Sequence, residues 1–238
     1  MILPKSKNIL ILIFIFLIST SLGCLETPVA TPALIDEDAL TAYGWSQAED
    51  IQYNTFEQEL SNSTNLTFNS TVVTYRNDRL ASDIEAQAQV FRDEYRLPSD
   101  VPVPMLKAVI ITNRITLPGK ANVPSELIAK ILESSIEDAN EQNSVESFNE
   151  SSKMQLTADN GAAIHLSTFT GSTHMENSSL RILGFVALIE SQDSSTIVYG
   201  MVPNGTFPVN IGPLEADLFS IDGEKELNEM IELIKTID

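Results

Sequence analysis

The sequence predicts an α+β domain, in which an antiparallel β-meander sheet carries two amphipathic helices packed on one face. First, Asn-Gly at 160–161 lies between two stretches where apolar and polar residues alternate, which is typical of a hairpin closed by a type I′ turn. Second, the apolar runs 180–190 and 196–203 predict two further strands, separated by a short polar turn. Third, apolar residues recur at helical spacing after Pro124 and again over 224–237.

The first half of the domain shows shorter patterns. Residues 36–43 predict a short helix, because acidic residues open it and Gly44 can close it as a C-terminal cap. Trp45 is expected to pack into the domain. Alternating or apolar stretches then predict strands around Ile51 and Tyr53, around Leu66 and Phe68, over 70–76 and over 105–116.

Each predicted amphipathic helix has one apolar stripe with charged residues away from it. The stripe of the first helix, which begins near Pro124, consists of Leu127, Ile128, Ile131, Leu132 and Ile136. The stripe of the closing helix consists of Leu227, Met230, Ile231, Ile234 and Ile237. We therefore expect both helices to lie on the sheet.

The amino terminus has the layout of a secretory signal. Lys5 and Lys7 precede an uninterrupted apolar stretch over 9–18, and Gly23 directly precedes Cys24, the single cysteine of the chain. Ten apolar residues suit a signal, whereas a membrane-spanning helix needs about 20. The sequence therefore predicts a signal peptide over residues 1–23 and export of the rest.

Cys24 lies where the signal ends, and the segment resembles the lipobox of prokaryotic lipoproteins, in which the cysteine thiol receives a lipid and becomes the first mature residue. Ser21 and Leu22 depart from the usual pattern, which has Leu and then a small residue at these positions. The alternative is an uncleaved signal anchor over about residues 9–25. Both interpretations place the domain outside the cell and attached to its membrane, because the basic flank stays cytoplasmic.

Composition limits the function classes. The chain has 14 Lys+Arg against 33 Asp+Glu, and loss of Lys5 and Lys7 with the signal changes the formal charge from −19 to −21. Because no basic cluster exists, we exclude nucleic acid as a partner. A single cysteine excludes a disulfide scaffold and a cysteine zinc site. Residues 24–35, with two prolines, predict an extended tether before one domain over 36–238.

Six asparagines begin an Asn-x-Ser/Thr sequon, which is a candidate glycosylation site on an exported chain. They are Asn62, Asn65, Asn69, Asn149, Asn177 and Asn204. The three sequons around Asn65 form the cluster that we favour as acceptors.

Two histidines are present, His165 in the hairpin and His174 in the loop after it. A zinc site needs three or four convergent ligands, and neither histidine has a suitably spaced partner. His165 is expected to point away from the apolar face of its strand. The sequence therefore assigns no catalytic residue, no metal site and no cofactor.

Three other stretches resemble functional motifs, but the surrounding sequence argues against each of them. Ser46 loosely matches a nucleophile elbow, but the elbow needs a strand before the serine and a helix after it. Asp36 and Asp38 lack the further ligands of a calcium loop, so a helix cap explains them better. Lys120 follows Pro-Gly without the other residues of a phosphate loop and is expected to be a turn residue.

Several stretches resemble a family of uncharacterised archaeal lipoproteins, chiefly haloarchaeal. They are ALTAYGW, VVTYR, VIITNRITLPGKANVPSELIAKIL and GFVALIESQDSSTIVYGMVP, followed by the final helix. The resemblance covers nearly the whole chain and implies a lipid-anchored protein with one α+β domain. It implies no activity, because the matching stretches specify the fold.

Two functions follow from these patterns. The first is an envelope-accessory or binding module on the outer side of the cell membrane, which recognises a ligand, an envelope protein or a glycan. The alternative is an extracytoplasmic hydrolase that uses acidic residues. A deep pocket lined by several acids and His165 would favour the hydrolase.

Overall fold

A computed structural model describes residues 28–60, 64–97, 106–117, 145–175, 178–191, 193–211 and 214–238. These ranges contain three helices and nine strands. In chain order they are α1 (Glu37–Tyr43), β1 (Trp45–Gln47), β2 (Gln52–Leu60), β3 (Thr64–Asn77), α2 (Asp78–Tyr95), β4 (Val109–Thr116), β5 (Val145–Thr157), β6 (Ala163–Met175), β7 (Ser178–Glu190), β8 (Ser195–Ile211), β9 (Leu214–Ile221) and α3 (Gly223–Lys235).

The strands form one antiparallel sheet in the order β1-β3-β4-β8-β7-β6-β5, with β2 also paired to β3 and β9 to β8. Strands β5 to β9 follow one another in space as they do along the chain. This confirms the predicted α+β class and its antiparallel sheet. The first half of the chain joins this meander through β4, which pairs with β8.

The predicted hairpin between β5 and β6 is present, but its turn is not type I′. Gly161 has a φ of +87°, whereas Asn160 keeps a negative φ. The Ala158 amide donates to the Ala162 carbonyl (2.8 Å), which leaves a three-residue loop with one left-handed residue at its end. The Asn160 side chain explains the difference, because it accepts from the Ala162 amide (3.0 Å) and donates to the Ile237 carbonyl (3.2 Å).

The short helix α1 and the closing helix α3 confirm two predictions. Asp36 caps α1 by accepting from the Ala39 amide at 2.9 Å, and Gly44 ends it with a left-handed φ of +73°. Asp222 caps α3, whose apolar stripe is buried. The helix predicted from Pro124 lies outside the described residues, so of the two helices expected on one face the structure describes the closing one.

Helix α2 was not predicted from the sequence. Asn77 begins it by accepting from the Leu80 amide at 2.9 Å, a standard N-cap contact. The buried side chains of this helix are Leu80, Ile84, Ala88, Phe91 and Arg92. The apolar stripe is one residue wide and includes an alanine, so it is weaker than the stripe of α3.

Two hydrophobic clusters flank the sheet. The larger one joins the sheet to α1, α2 and α3, and Tyr75, Ile110 and Met230 are among its fully buried members. Trp45 also belongs to it, at 4% exposure, as predicted. The smaller cluster contains Phe68, Ile115, Leu117 and Ile197. All described helices therefore share the larger cluster.

Residues 28–35, called the strap from here on, pack into the larger cluster's side of the sheet. Ala30, Ala33 and Ile35 are buried, at 2%, 0% and 4% exposure. The sequence assigned residues 24–35 to an extended tether and began the domain at 36. The strap belongs to neither a helix nor a strand, but its burial makes it part of the folded domain.

Hydrogen bonds fix the strap along β3 and β4. The Thr71 hydroxyl donates to the Thr31 carbonyl (3.0 Å), and the Thr112 hydroxyl donates to the Ala33 carbonyl (2.8 Å). Small alanine side chains allow the backbone to come close enough for these contacts. The strap therefore has a defined direction across the sheet.

Candidate functional site

The described residues form a groove of about 280 Å³ between α2 and the β8–β9 hairpin. Its floor is apolar and buried, and consists of Phe91, Leu218 and Phe219. Its rim is exposed, and consists of Gln87, Val90, Glu94, Thr206, Asp217 and Ser220. An apolar floor with a few polar groups at the rim is typical of a binding site, and this volume suits a small ligand or one side chain.

Side-chain contacts hold the two walls of the groove together. Gln87 pairs with the backbone of Ser220 as a neighbouring strand would, since its amide nitrogen donates to the carbonyl (3.2 Å) and its amide oxygen accepts from the N–H (2.9 Å). Ring contacts support each wall separately. Phe219 stacks on Phe207 in the β8–β9 hairpin, with ring centroids 5.2 Å apart, and Phe91 packs on Tyr95 in α2, with ring centroids 4.7 Å apart. The groove is therefore formed before any ligand arrives.

A strand irregularity shapes the β9 wall. The pairing of β8 and β9 shifts between Phe207 and Pro208, so Leu218 has no partner across the strands. Proline has no N–H to donate, which makes it suited to such a bulge. The shift brings Leu218 and Phe219 into the floor together, although residues adjacent in a regular strand face opposite sides.

The rim of the groove is negatively charged. Glu94 and Asp217 provide two exposed carboxylates, and the nine lining residues include no lysine or arginine. A cation bound near this rim would be attracted electrostatically by both carboxylates. The arrangement therefore fits a ligand that combines an apolar group with a positive charge.

A second polar group lies where α2 and α3 begin. Arg79 contacts Glu226 at 2.8 Å and Glu229 at 2.6 Å, and the Asn77 side chain donates to Glu226 at 2.7 Å. Burial raises the pKa of Glu226, and the Glu229 charge adds to this effect while Arg79 opposes it. The contacts of Arg79 and Asn77 join the start of α2 to α3, so we interpret this cluster as structural.

Ser46 belongs to the same region. Its hydroxyl donates to Asp78 at 2.5 Å, and the Arg76 guanidinium contacts the other oxygen of Asp78 at 2.7 Å. These contacts lower the pKa of Asp78, with the Ser46 hydrogen bond as the largest cause. Ser46 follows a helix and lies in β1, which is not the strand-then-helix context of a nucleophile elbow.

The predicted histidine position on β6 agrees with the structure. His165 is exposed, in register with Gln155 on β5 and Leu188 on β7, while its neighbours Ile164 and Leu166 are buried. His174, which was predicted in a loop, has its backbone in β6, one residue before the strand ends at Met175. His165 does not line the groove. Among the described side chains, no three His, Cys, Asp or Glu residues converge as a metal site would require.

The sequons have different surroundings. The Asn69 side chain donates to the Pro28 carbonyl (3.0 Å) and accepts from Thr55 (2.7 Å). The Asn204 side chain accepts from the Gly223 amide (2.9 Å). Asn149 is exposed on β5, and the backbone of Asn65 lies in β3. Asn62, Asn177, Cys24 and Lys120 lie outside the described residues.

Sequence reasoning missed the groove because it missed α2, which provides four of its lining residues. Two signals were present. Asn77 is a favourable N-cap residue, and Leu80, Ile84, Ala88 and Phe91 recur at helical spacing.

Comparison with known proteins places the chain in a family. No curated protein and no solved structure matches it. No helix within the described ranges is both long and apolar enough to cross a membrane. A family model described as a domain of unknown function matches residues 32–237, from within the strap to the end of α3. The chain therefore belongs to the DUF6517 family.

Proposed function

We propose that the protein is a binding module on the outer side of the cell membrane, held there by a lipid on Cys24. The basic and apolar signal before Cys24 supports export. The resemblance to archaeal lipoproteins supports the same localisation. In this proposal the groove between α2 and β9 holds the ligand.

The observation that carries this proposal is the position of the strap relative to the groove. The strap begins where Asn69 holds the Pro28 carbonyl, and Asn69 is in register with the last residue of β4, Thr116. Its neighbour Ile115 is paired with Ser195, the first residue of β8. We call this the lower end of the sheet.

The groove lies toward the other end of the sheet. Thr206 lines it, and from Ser195 to Thr206 the chain advances eleven residues, which span at most about 36 Å at about 3.3 Å per residue. The anchored start of the strap and the groove would therefore lie toward opposite ends of the strands, which leaves the groove uncovered where envelope partners can reach it. This arrangement suits a receptor-like module.

The groove also favours one kind of partner. Its apolar floor and its two rim carboxylates fit a basic or amine-bearing group better than an uncharged glycan. Of the two expected partners, an envelope glycan and an envelope protein, we therefore favour a protein that inserts one basic side chain, or a small amine of similar shape.

Two small probes test the proposal directly. 2-Phenylethylamine and 2-phenylethanol share a phenyl group and differ in charge, so they separate the apolar floor from the acidic rim. With a chain that begins at residue 25, we expect both to shift the NMR amide signals of Gln87 and Ser220, and the amine to bind about fivefold more tightly.

An Asp217→Asn variant provides the control for charge. It should remove most of the difference in affinity between 2-phenylethylamine and 2-phenylethanol, while the affinity for 2-phenylethanol stays the same. If the probes shift signals elsewhere in the domain, or shift none, the groove is not the ligand site. Equal affinity for both probes in the unmodified chain would reject the charge argument.

A further inference from the structure

We propose that Val29, Tyr53 and Phe56 form a contact surface for the lipid bilayer at the lower end of the sheet. This inference rests on the proposed membrane anchor and names the part of the domain that touches the membrane. It requires the chain to leave the domain beside these side chains.

The three residues are unusually exposed for their type. Val29 is 77% exposed, Tyr53 is 61% exposed and Phe56 is 45% exposed. Large apolar side chains scattered singly on a surface need no explanation, but a group of them often marks an interaction site. Three of the six exposed large hydrophobic residues in the described ranges belong to this group.

Their neighbours show that they lie close together. Val29 follows Pro28, whose carbonyl is held by Asn69. Asn69 is in register with Thr55 on β2, and the two side chains are hydrogen-bonded at 2.7 Å. Tyr53 and Phe56 lie two residues before and one residue after Thr55, so along the strand both are close to the point where the strap begins, Tyr53 on the face of the strap and Phe56 on the opposite face.

Tyr53 and Phe56 both lie on β2, which is at an edge of the described sheet. Tyr53 and Phe56 point to opposite faces of the β2–β3 hairpin, since they are an odd number of residues apart. Phe56 stacks on Phe68 at 5.2 Å. Among the described strands β2 pairs with β3 alone, so no described strand covers its other edge. A membrane that meets this edge would contact both side chains.

The chain length brings the membrane within reach. Cys24 lies four residues before Pro28, which spans at most about 14 Å when fully extended. A lipid on Cys24 would therefore hold the start of the strap within about half a bilayer thickness of the headgroups. A domain on so short a link cannot turn its lower end far from the membrane.

The side chains suit the headgroup region more than the hydrocarbon. Tyrosine and other aromatic residues favour the membrane interface, where the ring is apolar and the hydroxyl stays wet. The exposed Glu57 lies beside Phe56 and opposes deeper insertion. It also disfavours anionic lipids, so the partner surface is a neutral, zwitterionic one.

Fluorescence quenching tests this surface. The purified full chain is reconstituted into phosphatidylcholine vesicles with brominated acyl chains, and tryptophan replaces one residue at a time. Tyr53→Trp and Val29→Trp report on the lower end. Val90→Trp is the matched control, because Val90 is also 67% exposed but lies at the groove. The buried native Trp45 contributes the same background to every variant.

We expect the tryptophans at 53 and 29 to be quenched at least about twofold more than the tryptophan at 90. If the protein floats with the vesicles but all three positions are quenched equally, the contact surface is wrong and the anchor stands. If the protein does not float with the vesicles, the anchor itself is wrong and this inference falls with it. Two lower-end positions keep the test valid if one variant does not fold.

Discussion

Single residues at the starts of α2 and α3 connect distant parts of the chain. Arg79 is one third exposed, yet its two carboxylate partners, Glu226 and Glu229, are 8% and 14% exposed. Gly44 contributes to the same junction, since its carbonyl accepts from the Asp78 and Arg79 amides. A side chain at Gly44 would meet Arg79 at 2.6 Å, so the close approach requires glycine.

Replacing Arg79 should destabilise the domain. Arg79→Met leaves Glu226 buried without its cation, and removal of one partner from a buried pair costs about 3–5 kcal/mol. We expect the free energy of unfolding to fall by about 2–3 kcal/mol here, because Arg79 is partly solvated. The matched control is Arg76→Met, whose pair with Asp78 is half exposed and should cost less than about 1 kcal/mol. Equal urea midpoints for the two variants would contradict this interpretation.

Asp78 predicts a pH dependence of stability. Its pKa lies below the ordinary value of 3.8, chiefly because Ser46 donates to it. A lowered pKa in the folded state stabilises the fold above pH 3.8, and this contribution is lost as the pH falls through the folded pKa.

The corresponding variant is Asp78→Asn. It should lower the urea midpoint at pH 7, and the difference from the unmodified protein should shrink toward pH 2, as the pH approaches the lowered pKa of Asp78 in the folded state. Asp83→Asn, on the same helix and exposed, should change the midpoint little at either pH. A difference that stays constant from pH 7 to pH 2 would exclude the ionised carboxylate as its cause.

Among the elements, the strap differs most from its predicted role. Proline content predicted an extended tether, whereas three of its side chains are buried in the domain. The sequence could not show that the segment packs, because its contacts come from Thr71, Tyr75 and Thr112, at least 40 residues away in the chain. The family match begins within the strap, which agrees with its place in the folded domain.

Truncation should show how much the strap contributes. A chain that begins at residue 25 should unfold in one cooperative transition, with a midpoint unaffected by reductant or chelator. A chain that begins at Asp36 loses the buried Ile35, worth about 2–3 kcal/mol alone, and exposes part of the cluster around Tyr75. Circular dichroism during urea unfolding measures the midpoints of the two chains. Equal midpoints would mean that the strap is a passive tether.

Other elements show why some predictions succeeded. The stripe of α3 and the apolar run of β7 are strong local patterns, so they were predicted close to their observed bounds. The start of β8 was predicted too, but the strand continues to Ile211, eight residues beyond the predicted end. The turn type at 160–161 was wrong because Asn160 contacts Ile237, which local propensity cannot reveal. Helix α2 was missed because its buried stripe is narrow.

At the scale of the whole molecule, the sequence predicted an α+β domain but not its groove. The groove needs α2 to lie against β9, and the contact between Gln87 and Ser220 spans 133 residues. No local motif marks such a site. The direction of the strap, which separates the proposed anchor from the groove, likewise follows from tertiary contacts alone.

The central claim is that the domain works at the membrane through a lipid on Cys24. The most direct measurement is fractionation of cells that express the full chain with Cys24→Ser, followed by immunoblotting for size and location. We predict that mature-size protein disappears from the membrane, either because the variant is released into the medium or because it remains an unprocessed precursor. Mature-size Cys24→Ser protein that stays membrane-bound would contradict lipid anchoring at this residue.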